Sequence, residues 1–212
     1  MAADIRGLLF DMDGLLVDTT ILHFHAWARL AEEEGLPVPQ DPNIFRGLSR
    51  EHSLSYILQG RELSEETRRG WMERKNYYFM ETIKHVVPLP GVVPLLMEAR
   101  EKNYVMAVGS SSRNARLILE LLRLSDFFVY IGDAYCVTRP KPAPDLFLHV
   151  AEKMALPPQE ILVLEDGAVG VVAAEAGGFS VLGVGQPKIH GARHSLPSLA
   201  GLCVADVLAA VT

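Results

Sequence analysis

The stretch LLFDMDGLLVDTT, Leu8 to Thr20, ends an apolar run with two carboxylates two positions apart, Asp11 and Asp13, followed by a glycine. An unpaired carboxylate is costly to desolvate in a packed strand, so this pair does not serve packing. Two neighbouring acids either share a cation or push their pKa values apart, and both outcomes are chemically useful. A plain polar turn closed by Asp13–Gly14 is the alternative. Three later stretches carry residues of matching chemistry. VGSSSRN (108–114) offers small residues, the Ser110 hydroxyl and N–H groups at a helix start, which suits an anion; a serine N-cap is the bland reading. RPKPAPDLF (139–147) holds Lys141 between prolines, where a lysine is otherwise a solvated loop charge. LVLEDGAVG (162–170) supplies Glu165 and Asp166 before a glycine-rich turn.

These four stretches must be brought together by the elements that carry them. Each follows or adjoins a short, near-continuous apolar run: IRGLLF (5–10), YVMAVG (104–109), FFVYIG (127–132), ILVLE (161–165) and SVLGVG (180–185). Such runs read as strands covered on both faces. Helical patterns at 92–102, 113–123, 144–155 and 168–177 lie between the later ones, so the chain predicts βαβ units and a parallel sheet. In an open parallel sheet, ligands sit beyond the carboxyl ends of the strands. That edge is where the two aspartates, the serine hydroxyl, the lysine and the second acidic pair would converge.

Residues 21 to about 86 break the alternation. ILHFHAWARLAEEEG stops at Gly35, REHSLSYILQG ends at Gly60, and SEETRRGWMERKNYYFMETIKHV opens on Ser64 as N-cap. No strand-like run interrupts them. The expected organisation is therefore a discontinuous α/β core, 1–17 and 88–212, with a doubly wound parallel sheet. A small all-helical cap, 18–87, is inserted after strand one, with hinges near Val17–Thr20 and Val87–Pro90.

Composition narrows the class. With 49% apolar and 22% charged residues the chain of 212 reads as an ordinary globular protein. Its 20 basic and 26 acidic side chains, with no basic run, argue against a nucleic-acid surface. The two cysteines, Cys136 and Cys203, are far apart and give neither a disulfide framework nor a metal knuckle. Charges break up the first apolar stretch, and no uninterrupted membrane span occurs, so the expectation is a cytoplasmic, soluble monomer without a signal peptide. A dinucleotide-binding protein is disfavoured, because the first strand runs into DMDG rather than a G-x-G-x-x-G turn. A non-catalytic binding module would have no use for Asp11, Asp13 and Lys141 together.

The order FDMDG, VGSSS, Lys141 in KPAPD, then LEDGAVG resembles the four motifs of the haloacid dehalogenase superfamily, and the helical insertion is similar to that family's cap. The resemblance implies that Asp11 is a nucleophile that becomes phosphorylated and that Asp13 is the general acid/base. It implies that Ser110, with Ser111 beside it, binds the transferring phosphate, and that Lys141 bridges phosphate and nucleophile. Mg²⁺ would be held by Asp11, Asp166 and the backbone carbonyl of Asp13, with Glu165 as a further metal neighbour. Dehalogenating members lack the second aspartate, so Asp13 points to phosphoryl transfer. Attack of a carboxylate on a phosphate monoester joins two anions, so such a site must neutralise charge and align the reactants.

The insertion carries the features that would choose the substrate. Arg50 opens a helix after a glycine turn at Gly47, Lys75 lies on the long third helix, and His23, Trp27 and Leu30 share one helical face. Each also has a purely structural reading, as a solvated charge or a packed histidine. Together, G-x-SRE-x-SL (Gly47–Leu54), RKN (Arg74–Asn76) and H-x-x-x-W (His23–Trp27) resemble the β-phosphoglucomutase-like subfamily. That resemblance implies that Arg50 grips a second phosphate and Lys75 contacts substrate. It also implies that His23 couples cap closure to a sugar hydroxyl and Asn114 supports the phosphate site. The expected substrate is a sugar phosphate, isomerised by a mutase or cleaved by a related phosphatase. Gly167, where a small polar residue is common, and Arg139, where a small one is common, depart from the pattern.

Overall fold

In the computed structural model, residues 4–45 and 48–211 are described. Six strands form one sheet: β1 (Gly7–Phe10), β2 (Val105–Gly109), β3 (Tyr130–Gly132), β4 (Ile161–Glu165), β5 (Ser180–Val184) and β6 (His194–Leu196). Every pairing is parallel and the order is β3-β2-β1-β4-β5-β6, which reverses direction between β1 and β4. Phe10 lies level with Val108 on one side and Leu164 on the other, so β2 and β4 each run one residue beyond the end of β1.

Alternation within the strands sends side chains to opposite faces, and both faces are dry. Leu8, Phe10, Met106, Val108, Leu162 and Leu164 join one core cluster, while Leu9, Ala107, Ile161 and Val163 join the other. Helices α4 (Val92–Glu101), α5 (Ala115–Leu121) and α8 (Val204–Ala209) cover the first face, and α6 (Asp145–Met154) and α7 (Ala168–Ala176) cover the second.

Helices α1 (Thr20–Glu33), α2 (Arg50–Leu58) and α3 (Glu65–Thr82) fall between β1 and α4 with no strand among them. They build a third cluster around Trp27, Leu30, Leu54, Ile57 and Trp71. Ser64 caps α3 by accepting the Thr67 N–H, and Ser49 caps α2 by accepting that of His52. Ala26, Tyr78, Phe79 and Ile83 pack instead into the sheet's own core, so the insertion is rooted as well as tethered. The two connections run side by side: Val17 bridges Pro88, and Leu89 N–H donates to the Leu16 carbonyl at 2.9 Å.

Three differences from the sequence reading have physical causes. The apolar run 127–132 becomes strand only from Tyr130, because Ser125–Phe127 forms a 3₁₀ turn that packs Phe127 beneath Arg100 and Phe128 edge-on to Phe10. Strand β6 escaped notice because HSL is short and half-exposed, so no apolar run marks it. Helix α8 is only six residues long, and its capping box uses Cys203 rather than a hydroxyl residue. Among the described residues, no helix is long and apolar enough to cross a membrane.

Candidate active site

The carboxyl ends of β1 and β4 meet where the strand order reverses, and both are followed at once by acids. Asp11 continues β1, its N–H donating to the Leu164 carbonyl at 3.0 Å; Glu165 ends β4 and Asp166 follows it. One oxygen from each of Asp11, Glu165 and Asp166 lies within 4.8 Å of the others, and all three residues are buried. Lys141, delivered by the loop after β3, places Nζ 2.7 Å from Asp11 Oδ1 and 2.8 Å from Glu165 Oε2. The other Glu165 oxygen accepts the N–H groups of Asp166 and Gly167 at 3.1 and 3.0 Å.

Glycine makes this crowding possible at two points. A Cβ on Gly14, whose φ is +82°, would lie 1.9 Å from Asp166 Oδ2. One on Gly170, in the first turns of α7, would lie 1.8 Å from Glu165 Oε2. The loop from Met12 to Val17 folds back tightly, Met12 O accepting from Leu16 and Val17 N–H, and so presents Asp13 to the cleft.

The electrostatics follow from burial. Desolvation and then Glu165 push the Asp11 carboxyl up to about 7 against the pull of Lys141. Burial pulls the Lys141 ammonium down, but Asp11 and Glu165 outweigh it and hold its pKa above the usual lysine value. Three carboxyl groups surround a single ammonium, and all of them offer hard oxygen donors. A divalent cation that prefers oxygen matches both the charge and the ligand type. The cluster therefore fits a metal ion of that class.

Asp13 is held differently. Thr19 Oγ1 donates to its Oδ1, and Ser110 Oγ lies 3.4 Å from its Oδ2. Burial, then the charge of Asp11, push its pKa up to about 6, against Thr19, Ser110 and Lys75. Ser110 itself is fully buried and accepts the Ser112 N–H at 3.0 Å, whereas Ser111, Ser112 and Arg113 reach the cleft wall.

The cleft opens between this cluster and the helical insertion, with about 720 Å³ of space including its mouth. The insertion's side of it is lined by Thr20, His23, Trp27, Phe45, Leu48, Arg50, Ser53 and Lys75. Lys75, 2% exposed, contacts His23 Nδ1 at 2.6 Å and lies 5.0 Å from the Trp27 ring centre. Burial and then the Arg50 charge drive its pKa well below the ordinary lysine value. His23 stacks flat on Phe79 at 4.1 Å and presents Nε2 3.8 Å from Asp13 Oδ1. Burial, Lys75 and Arg50 lower its pKa, which favours the neutral ring. In the tautomer that accepts from Lys75 at Nδ1, the ring proton is on Nε2, on the side of Asp13.

Of the residues singled out from sequence, Asp11, Asp13, His23, Trp27, Arg50, Lys75, Ser111 and Lys141 line this cleft, and Ser110, Glu165 and Asp166 lie directly behind its floor. Asn114 does not face the space; it donates to Asn76 Oδ1 at 2.8 Å, and Arg50 donates to the same oxygen at 3.0 Å. Arg139 forms a two-pronged pair with Asp145 at 2.8 and 2.9 Å, with its side chain 73% exposed, so its charge is spent at the head of α6. Gly167 contributes its N–H to Glu165. Gly47 lies outside the described residues. Thr19, Asn76 and Arg113 were not anticipated. Thr19 stood in the quoted opening stretch, Asn76 closed the RKN stretch and Arg113 preceded Asn114, but the contacts each makes are with residues distant in sequence or folded back by a loop.

The model of the haloacid dehalogenase-like hydrolase family matches residues 5–178. The β-phosphoglucomutase of Bacillus subtilis is 35% identical over 190 residues, covering 86% of this chain and 84% of that protein. The phosphorylated carbohydrates phosphatase of Thermotoga maritima is 31% identical over 216 residues, covering 98% and 94%. The crystal structure of β-phosphoglucomutase from Clostridium difficile aligns with a TM-score of 0.91 at 30% identity, covering 98% of this chain and 97% of that one.

Proposed function

This chain belongs to the haloacid dehalogenase-like hydrolase family, and we propose that within it the protein is a β-phosphoglucomutase-like phosphotransferase acting on a sugar phosphate. The observation that carries this reading is the placement of Arg50. It faces the same cleft as Asp11 and Lys141 but enters from the insertion, braced by Asn76. A mutase must hold a second phosphate away from the reacting one, and a guanidinium on the opposite wall supplies that grip. Simple ester cleavage has no such requirement.

Lys141 fixes Asp11 Oδ1, which leaves Oδ2 to attack phosphorus. The P–O bond to the sugar then breaks, and the departing oxygen takes the proton of Asp13, whose raised pKa keeps that proton available near neutral pH. In the return step, Asp13 takes a proton from the attacking sugar hydroxyl, and the phosphoryl group leaves Asp11. Mg²⁺, held by Asp11, Asp166 and the Asp13 carbonyl with Glu165 adjoining, would supply charge neutralisation on the transferring oxygens. Glu165 orients Lys141 through the 2.8 Å contact, and His23, poised by Lys75, faces the proton-carrying Asp13. The insertion 18–87 acts as a cap whose closure shields Asp11 from water.

The second reading, a sugar-phosphate phosphatase, is supported by the similarity to the Thermotoga maritima enzyme over nearly the whole chain. Phosphorus NMR separates the two. β-Glucose 1-phosphate with Mg²⁺ and a trace of glucose 1,6-bisphosphate should accumulate glucose 6-phosphate. Release of inorganic phosphate alone would reject the mutase.

A further inference from the structure

Beyond Arg50, the cleft mouth brings together three side chains from opposite walls. Glu51 follows Arg50 on α2, Arg113 precedes α5, and Tyr135 lies in the loop after β3. Arg113 lines the cleft, and its Nη2 donates to Glu51 Oε1 at 2.7 Å. Its guanidinium carbon lies 5.4 Å from the centre of the Tyr135 ring. Arg50 feels the charge of Arg113 directly, and those of Tyr135 and Glu51 in the opposite sense. Two guanidiniums facing one space repel each other, and Glu51 offsets that repulsion.

Tyr135 is 72% exposed, yet it is not loosely placed. Its N–H donates to Asp133 Oδ1 at 2.9 Å, and buried Asp133 is itself paired with Arg116 at 3.6 Å. With its backbone held by that turn, the exposed ring offers its face to the Arg113 guanidinium as a platform for the cation. The Glu51–Arg113 pair is by contrast exchangeable, its side chains being 51% and 33% exposed. A phosphate dianion offers arginine a stronger, forked partner than one carboxylate oxygen does.

We propose that Glu51 is a resident counter-ion, displaced from Arg113 by a second anionic group on the substrate, and that Tyr135 positions Arg113 for that exchange. The proposal rests on the phosphoryl-transfer reading and adds selectivity to it. Ligands with two anionic groups can complete the exchange, whereas those with one leave Glu51 in place.

The test is calorimetric titration of the Mg²⁺-loaded protein, carrying Asp11→Asn to stop turnover, with glucose 1,6-bisphosphate and with p-nitrophenyl phosphate. Glu51→Gln should tighten the bisphosphate by about fivefold and move the single-anion probe by less than about twofold. Tyr135→Ala should weaken the bisphosphate by about fivefold, and Tyr135→Phe, which keeps the ring, should restore it. An unchanged or weakened bisphosphate in Glu51→Gln, equal tightening of both ligands, or failure of Tyr135→Phe to rescue would overturn the proposal. Turnover of p-nitrophenyl phosphate by the unaltered enzyme is scored separately. Its absence removes the phosphoryl-transfer reading, while the titration still decides the exchange.

Discussion

Gly170→Ala sets local helix physics against the demands of the site. Gly170 sits in the helical body of α7 with no left-handed backbone angle, so by propensity alone an alanine should stabilise α7 by about 1 kcal/mol. The added Cβ, however, would meet Glu165 Oε2 at 1.8 Å, Cδ at 2.1 Å and Cγ at 2.6 Å. Glu165 has no room to yield: it is 1% exposed, tied on one oxygen to Lys141 and on the other to two backbone N–H groups. Overpacking against a locked group costs about 3 kcal/mol, the upper end of its usual range, for a net loss of about 2 kcal/mol. For a chain of this size that is a fall in Tm of about 4–8 °C. Displacing Glu165 also moves Lys141 off Asp11, and a misplacement on the order of 1 Å costs about 100-fold in rate. Thermal unfolding followed by circular dichroism, with kcat on p-nitrophenyl phosphate, reads both. A Tm equal to or above the parent's, with kcat intact, would refute the role given to Glu165.

Asp13 carries a pH signature. Its pKa rises from 3.8 to about 6 on folding, so its favourable contribution is complete below 3.8 and is lost as pH rises through about 6. In chelator-treated protein, Asp13→Asn should therefore gain about 1–2 kcal/mol over the parent at pH 8 and nothing at pH 3.5, by urea titration, after allowing for partial solvent access. Equal gains at both pH values would contradict the shift. Gly14→Ala places a Cβ 1.9 Å from Asp166 Oδ2 on a left-handed backbone, and should raise the Mg²⁺ concentration for half-activation by at least about tenfold. An unchanged metal dependence would remove Asp166 from the metal site. Asn76→Ala cuts the shared acceptor of Arg50 and Asn114, and should raise KM for a sugar phosphate by about tenfold with little effect on p-nitrophenyl phosphate. Parallel losses on both substrates would count against Arg50 as a remote grip.

Much of the sheet was legible because parallel strands covered on both faces leave continuous apolar runs, as at Leu8–Phe10 and Ile161–Leu164. The acids were legible for the complementary reason: carboxylates directly after such runs have no packing role, and strand order then forces them together. The polar edge strand at His194–Leu196 and the short helix at Val204–Ala209 left no such trace. Roles that depend on contacts across the cleft were hidden as well. Asn114, which the resemblance gives a supporting place at the phosphate site, donates its amide to Asn76, 38 positions away. Thr19 meets Asp13 only because the Met12–Val17 loop folds back on itself. Arg139 departs from the family pattern, and its local pairing with Asp145 keeps its charge away from the site.

The central claim is that Asp11 itself takes up the phosphoryl group. Rapid acid quench of the Mg²⁺-loaded enzyme during turnover of β-glucose 1-phosphate, followed by peptide mass spectrometry, tests it directly. The peptide containing Asp11 should gain the mass of one phosphoryl group, with the modification on Asp11 and absent from Asp11→Asn. Turnover without that adduct, or an adduct placed on another residue, would contradict the account.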